Sequence, residues 1–385
     1  TISTLYQIGP ITTGAWKSSA NISVNNGNCL NFGPTDIDGG TWAWGGQNSD
    51  DNWVGRQISI PNISTSGVYT GLFLNKYYCV SSVNFNVTVV KDAGYAKRKL
   101  QNVITKAQKI NGSSIKGYDE LLIVIFEAQT LIQNTNTTYQ EYIDQLKKLN
   151  SAISKFYNQL ILSSQNLTDK IITNKDFKST SPTGWEGTIL SSTGSNTGSF
   201  SNKTFDMYQT ITNLENGKYL IGCQSFYRPG ANDGGNNYSY GIDNTNALLY
   251  ANENSMNITS LYNISYIGEN NLYGYVNDTI SANSVFTASS ENCANWALAD
   301  VKDGVLKIGI KKTLNITNDW FCFNNFSLYK IDDGLMGVDD VLIENEKIDG
   351  PVFGFDGRYY GTGTPQTLHL KPGLYVTNGR KFNIK

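Results

Sequence analysis

The sequence predicts a mainly β protein with an α-helical module set into it: two antiparallel β-sandwiches of jelly-roll type separated by a three-helix bundle, with a short β segment at the C-terminus. Three observations carry this. Apolar and polar residues alternate through residues 1–90 and again after residue 164, a helical period replaces the alternation between them, and Asn-, Gly- and Ser-rich turns punctuate the alternating parts. At 385 residues the chain is long enough for several domains, each with its own core.

In residues 1–90, "RQISI" (Arg56 to Ile60) and "SVNFNVTVV" (Ser82 to Val90) alternate at period two, which gives the first sandwich. At Lys91 the period changes. Leu100, Val103, Ile104, Ala107 and Ile110 form one apolar helical stripe, and "NGSS" at 111–114 ends it. A second helix runs from Tyr118 to Gln133, and "NTNTT" supplies a break and an N-cap for a third. In that third helix Tyr142, Leu146, Leu149, Ile153, Phe156 and Leu160 alternate spacings of four and three, the seam of a helix packed along others. Residues 91–163 are therefore expected to form a bundle with a basic, solvated outer face, acting as a rigid spacer.

Between residues 164 and 331 the alternation returns in "MYQTITNL", "GKYLIGCQSFYR", "VLKIGIKK" and "DWFCFNNFSLYKI", which predicts the second, larger sandwich. Residues 332–385 open with the acidic connector "DDGLMGVDDVLIENEKIDG" and end in short strands around "DGR" and "KPG" turns.

Whole-chain properties narrow the function. A net charge of -2 gives no general pull toward nucleic acid. The longest apolar run, "ELLIVIFEAQTLI" from Glu120, contains Glu127 and is too short for a membrane span. No positive-then-apolar leader follows Thr1, so a signal peptide is expected to have been removed already. Five cysteines lack the paired spacing of a zinc site, and for Cys29 and Cys79 a bridge and isolated thiols are both open. N-x-S/T sequons such as those at Asn21 and Asn277 carry little weight in a chain this rich in Asn, Ser and Thr. The lone histidine, His369, lies in the C-terminal segment, which removes a Ser-His-Asp or Cys-His arrangement from the body of the chain. H-E-x-x-H and P-loop patterns are absent as well, so no catalytic residues are expected and the protein is not expected to be an enzyme.

Two stretches offer binding residues. In "GGTWAWGGQNSDDNWVG", Trp42 and Trp44 lie two apart and so face one side of a strand, and Trp53 returns after an acidic turn that holds Asp50 and Asp51. Rings beside carboxylates and amides suit a polyhydroxylated ligand, whereas core packing is the competing account of each ring. In "SFYRPGANDGGNNYSYG", Tyr227, Arg228, Asp233, Tyr238 and Tyr240 lead from a strand into a polar loop at the end of a sandwich, where binding residues concentrate. The competing account there is a turn with Arg228 in a structural ion pair. Trp185 and Trp320 read as packing residues, and Trp296 in "NCANWALAD" stays undecided.

Taken in order, "ITNKDFKSTSPTGWEG", "FDMYQTITNLENGKYLIGCQSFYRPG", "ALLYANENSMNI" and "VKDGVLKIGIKKTLNITNDWFCFNNFSLYKI" resemble the galactose-binding-like jelly-roll domains of surface and secreted proteins of Bacteroidetes, over residues 166–331. The tail "VFGFDGRYYGTGTPQTLHLKPGLYVTNGRKFNIK" is similar to the C-terminal segment of type IX secretion substrates, which share G-x-Y-x-x-N-G-x-K. The resemblance implies carbohydrate recognition, export, and a location outside the cell or on the bacterial outer-membrane surface. Relatives often carry a Glu and an Asp where this chain has Lys178 and Asn324. A lysine cannot ligate calcium and an amide oxygen carries no full charge, which argues against a structural calcium and leaves no cofactor implied. The expectation is thus an exported, non-catalytic surface protein that binds a glycan through aromatic-lined loops. The alternative is an adhesin that recruits a protein partner such as a secreted host protein.

Overall fold

The alternating segments at the N-terminus pair into two facing sheets in the computed structural model. The structure describes residues 5–8, 16–34, 39–47, 49, 53, 55–60, 62–178, 183–190, 196–230, 241, 243, 245–263, 276, 278–288, 290–335, 350–354, 358–363, 368–371, 373–377 and 380–384. The first eight strands are β1 (Leu5–Ile8), β2 (Lys17–Ser18), β3 (Asn21–Asn25), β4 (Leu30–Phe32), β5 (Gly40–Gly45), β6 (Ile58–Ile60), β7 (Gly67–Asn75) and β8 (Val80–Val90). One sheet runs β2-β1-β4-β6 and the other β3-β8-β7-β5, with β3 parallel to β8. Ile22, Phe32, Tyr69, Phe85 and Val87 fill the space between them.

Three helices follow, and side-chain caps define two of their starts. In α1 (Ala93–Ala107) the Asp92 carboxylate accepts from the Tyr95 amide at 2.6 Å. α2 (Tyr118–Gln133) starts after Gly117, whose φ of 88° favours glycine. α3 (Tyr139–Ser163) opens with a capping box, in which Thr138 accepts from the Glu141 amide and Glu141 accepts from the Thr138 amide. Such a cap stabilises a helix by about 1 kcal/mol.

The second sandwich comprises β9 (Gln165–Asn166), α4 (Thr168–Ile171), β10 (Glu186–Gly187), β11 (Gly198–Ser201), β12 (Phe205–Ile211), β13 (Gly217–Arg228), β14 (Ala247–Ala251), β15 (Asn254–Asn257), α5 (Thr279–Ala288), α6 (Ser290–Cys293), β16 (Ala294–Val301), β17 (Leu306–Lys312) and β18 (Trp320–Lys330). A sheet ordered β10-β12-β17-β14-β15 faces one ordered β11-β18-β13-β16, with β9 beside β18. Met207, Ile221, Leu249, Ile308, Phe321 and Phe323 lie between them. The fold is thus mainly β with a helical insert, as the periodicity predicts.

The helical module does not stand apart as a spacer. Its core of Leu100, Ile104, Leu149 and Phe156 continues into Leu220, Leu298, Ile331 and Leu335, so the bundle is a further layer on the second sandwich. The cause is legible in β13: inward Ile221 and outward Leu220 are both buried, and a strand apolar on both faces must be covered on both. The bundle also grips the first sandwich, where Tyr95 Oη donates to Asn28 Oδ1 at 2.6 Å and Asn26 Nδ2 donates to Tyr139 Oη at 2.9 Å.

The C-terminal strands β19 (Gly350–Gly354), β20 (Tyr359–Gly363), β21 (Gly373–Thr377) and β22 (Arg380–Ile384) form a sheet ordered β20-β19-β21-β22. It meets α2 through Phe353, whose ring centroid lies 4.6 Å from that of Phe126. Residues 336–349 of the acidic connector lie outside the described residues. All five cysteines are free: Cys29 Sγ sits 2.9 Å from Ser59 Oγ, and Cys79 is exposed after the β7–β8 turn. Among the described residues, no helix is long and apolar enough to cross a membrane.

Candidate functional site

Trp42, Trp44 and Trp53 are core residues, which corrects their expected place in a binding edge. Their relative exposures are 5%, 8% and 5%. Trp42 and Trp44 stack at a centroid separation of 5.6 Å, Trp53 packs at 6.1 Å from Tyr69, and Trp44 Nε1 donates to Gly55 O at 2.8 Å. The strand does face both β5 tryptophans one way, but inward, and the side chains that alternate with them are the exposed Thr41 and Ala43. Asp50 and Asp51 lie outside the described residues.

Tyr227 is corrected likewise. It is fully buried and its hydroxyl donates to Asp319 Oδ2 at 2.8 Å, beside the buried Lys312–Asp319 ion pair. Arg228 is half-buried, with its guanidinium 5.2 Å from the Trp320 ring centroid, within reach of a cation–π contact. Asp233, Tyr238 and Tyr240 lie outside the described residues. Lys178 pairs with Asp176 at 2.7 Å.

What the structure assembles instead is a cleft of about 730 Å³ between α1, α3 and the outer face of the β11-β18-β13-β16 sheet. Each wall follows from local sequence. α1 contributes Lys99, Asn102, Val103 and Lys106, spaced by three and four and so on one face, beside the stripe that enters the bundle core. α3 contributes Asn150, Ser154, Tyr157 and Asn158 on one face, with Leu146 and Ile153 of its predicted seam turned to the cleft. The sheet contributes Gln224, Trp296, Asn325, Ser327 and Tyr329.

An irregularity in β18 shapes the floor: two of its residues, Asn325 and Phe326, lie opposite the single residue Cys223 of β13. Gly222 pairs with both Trp296 and Ser327, after which the register to β18 shifts by one residue between Gly222 and Gln224. Such a bulge bends a strand and redirects its side chains. A Cβ on Gly222 would lie 2.3 Å from Trp296 Cζ3 and 2.3 Å from Ser327 Oγ, so only glycine lets the indole lie across the strand. Trp296 stands between Tyr157 and Tyr329, with ring centroids 6.2 Å away on either side.

Some polar groups here are structural and others are not. Asn295 is saturated: its amide donates to Ser225 O and Cys293 O, and its carbonyl accepts from Thr259. Asn257 accepts from Lys109 Nζ at 2.6 Å and donates to Thr245 O. By contrast, among the described residues the side-chain amides of Asn150 and Asn158, the Ser154 and Tyr157 hydroxyls and Trp296 Nε1 have no hydrogen-bond partner, and all five side chains line the cleft.

At the α1 end the cleft is charged. Burial lowers the pKa of Lys99 and Lys106, opposed in each case by the Asp243 carboxylate. Burial raises Asp243, opposed by Lys106, by a hydrogen bond from Asn263 Nδ2 at 3.1 Å, and by Lys99. The expected solvated face of the helices therefore gives up two lysines to this cleft. Cys223 also lines it, but burial pushes its thiol up to about 12, so no thiolate nucleophile forms at neutral pH.

Sequence reasoning missed this site, although Gly241, the last residue of the loop it singled out, accepts from Asn102 Nδ2 of α1 at 2.9 Å, and Asp243, two residues further on, lines the cleft. The signals available were Trp296, the lysines of α1, and the Asn150, Ser154, Asn158 series at four-residue spacing.

Fold and site together define a β-sandwich protein with an aromatic- and amide-lined cleft roofed by helices. No protein-family model and no curated protein matches the chain. Among solved structures it is similar to one of carbohydrate-binding modules from the beta-sandwich superfamily, with 8% identity, 85% of this chain and 97% of the other covered, and a TM-score of 0.16. A likeness at that level carries no argument about function.

Proposed function

We propose that the protein is a non-catalytic glycan-binding protein, exported and displayed at a bacterial surface, with its ligand in the cleft between the helices and the second sandwich. The observation that carries this is the pairing of Trp296, flanked by two tyrosines, with amides and hydroxyls that lack protein partners. A sugar presents flat C–H faces to rings and hydroxyls to unpaired amides, and the cleft supplies both within one ligand-sized volume. The secretion-like tail supports the location.

The test is a glycan array followed by calorimetry on the whole chain, with Trp296→Ala and the exposed-rim double variant Asn150→Ala/Asn158→Ala. Losing a central aromatic contact is worth about 2 kcal/mol, or roughly 30-fold in Kd, and the rim pair less. Saturable binding weakened by both variants, with melting temperature recorded for each, supports the reading. Binding untouched by both overturns this location.

A second reading, an adhesin that captures a protein, is favoured by the β7–β8 hairpin tip. Tyr77 and Tyr78 are 72% and 85% exposed there, and Tyr78 has a φ of 64°, rare for a bulky residue. Asn75 Oδ1 holds the turn by accepting from the Tyr77 and Cys79 amides, both at 2.9 Å. Capture of a defined secreted protein that Tyr77→Ser/Tyr78→Gly abolishes, with a silent glycan array, selects this reading.

A further inference from the structure

The charges at the α1 end of the cleft say more about the ligand, given the glycan reading on which this step rests. Lys99 and Lys106 are seven residues apart on one face of α1, roughly 10 Å along its axis. Among the described residues they and Asp243 are the charged side chains that line the cleft, two cations and one carboxylate. Asp243 does not pair with Lys106: no ion pair joins them, Asp243 Oδ2 accepts from Asn263, and Oδ1 is buried without a hydrogen-bond partner. Lys106 makes a single hydrogen bond, to Thr259 Oγ1 at 3.5 Å, the outer limit of such a contact. An ammonium carries three donors, and one drawn out of water toward low-dielectric surroundings with a single long partner is under-solvated. An acceptor with negative charge fills those donors with charge-assisted hydrogen bonds.

We infer that the glycan bound in this cleft is acidic, with a carboxylate or sulfate group seated against Lys106 at the α1 end while a neighbouring ring covers Trp296. The shared chemistry is an anionic oxygen cluster on a sugar. A uronate offers two oxygens in a plane and a sulfate three in a tripod, so the two sources are separable by experiment.

The experiment measures Kd by calorimetry for matched neutral, uronate and sulfated oligosaccharides, at low and at raised salt. The wild-type chain is compared with Lys106→Gln, Lys106→Arg and Lys147→Gln. Lys147 is exposed on α3, does not line the cleft, and controls for net charge. The expected result is at least about tenfold tighter binding of one acidic class than of the neutral sugar, since a charge-assisted hydrogen bond is roughly twice as strong as a neutral one. That ratio falls toward one in Lys106→Gln, is largely kept in Lys106→Arg and in Lys147→Gln, and shrinks with salt. Melting curves establish that each variant is folded. Equal or tighter binding of the neutral sugar, or a ratio unmoved by Lys106→Gln, overturns the acidic assignment and leaves the glycan reading standing. Failure of the wild type to bind any of the three removes both.

Discussion

The two sandwiches use tryptophan in the same way along the chain and to opposite ends in space. Trp42 and Trp44 project from one face of β5 and stack on each other, Trp42 packs against Phe73 of the neighbouring β7, and Trp44 stacks on Phe32 of the facing sheet. Trp296 projects from one face of β16, but that face looks away from its own sandwich and is covered by helices that leave a gap. A sheet packed on a sheet closes evenly about 10 Å away, whereas two rods laid on a twisted, bulged sheet touch it at one end and stand off at the other. The layer opposite a tryptophan decides its role, more than the residues beside it do.

Stability experiments give the largest expected effects and can break this comparison. Trp44→Ala leaves a cavity in the first core, and replacing a buried Trp by Ala typically costs about 3–5 kcal/mol. Denaturant unfolding should show that loss, while glycan affinity measured well below the melting temperature stays at the wild-type value. A Trp44→Ala chain that folds normally but loses affinity would reverse the roles of the two sandwiches. Asp319→Asn belongs to the same class. Asp319 accepts from the Tyr227 hydroxyl, the Asn202 amide and Lys312, and all of that network except Asn202 is buried. Breaking one partner of such a pair strands the other charge and costs about 3–5 kcal/mol. The expected loss again falls on stability of the second sandwich and not on the ligand.

A smaller effect sharpens the comparison at the cleft itself. Gly222→Ala places a methyl group against both Trp296 and Ser327. Overpacking of this kind costs about 1–3 kcal/mol, and the indole must tilt to relieve it. Affinity should fall about tenfold, within the range of one lost aromatic contact. A Gly222→Ala chain with unaltered affinity would show that the platform is not where the ligand sits.

Much of the fold was legible because it is written in short-range periods. The stripe from Leu100 to Ile110, the breaks at 111–114 and the alternation of Met207 to Leu214 each need only a few neighbouring residues to be read. The cleft was not legible, because its walls come from residues near 100, 155, 223, 295 and 327, joined only by sheet register and by the docking of α1 and α3. The bulge lies in β18, where Asn325 opposite Cys223 takes a φ of 46°, and one asparagine among many is too weak a mark to place it. β13, read as an alternating strand, is instead buried on both faces from Tyr219 to Cys223, with helices as the second cover.

The smallest effect expected is chemical and separates the two regions by their thiols. Cys79 is exposed beside the hairpin tip of the first sandwich. Burial pushes Cys29 up to about 11 and Cys223 and Cys293 up to about 12, and it raises Cys322 as well. Since the thiolate is the species that alkylates, iodoacetamide at pH 8 should modify Cys79 alone in the native chain and all five cysteines after unfolding, as read by peptide mass. Cys223 is the informative one, because it is both buried and part of the cleft wall. Slow native-state labelling of Cys223 that saturating glycan suppresses would mean that the helices lift from the sheet to admit ligand. Labelling at Cys223 that glycan leaves unchanged would place the opening elsewhere, and the contrast between a closed sandwich and an open-ended one would then have to be drawn along a different edge of the molecule.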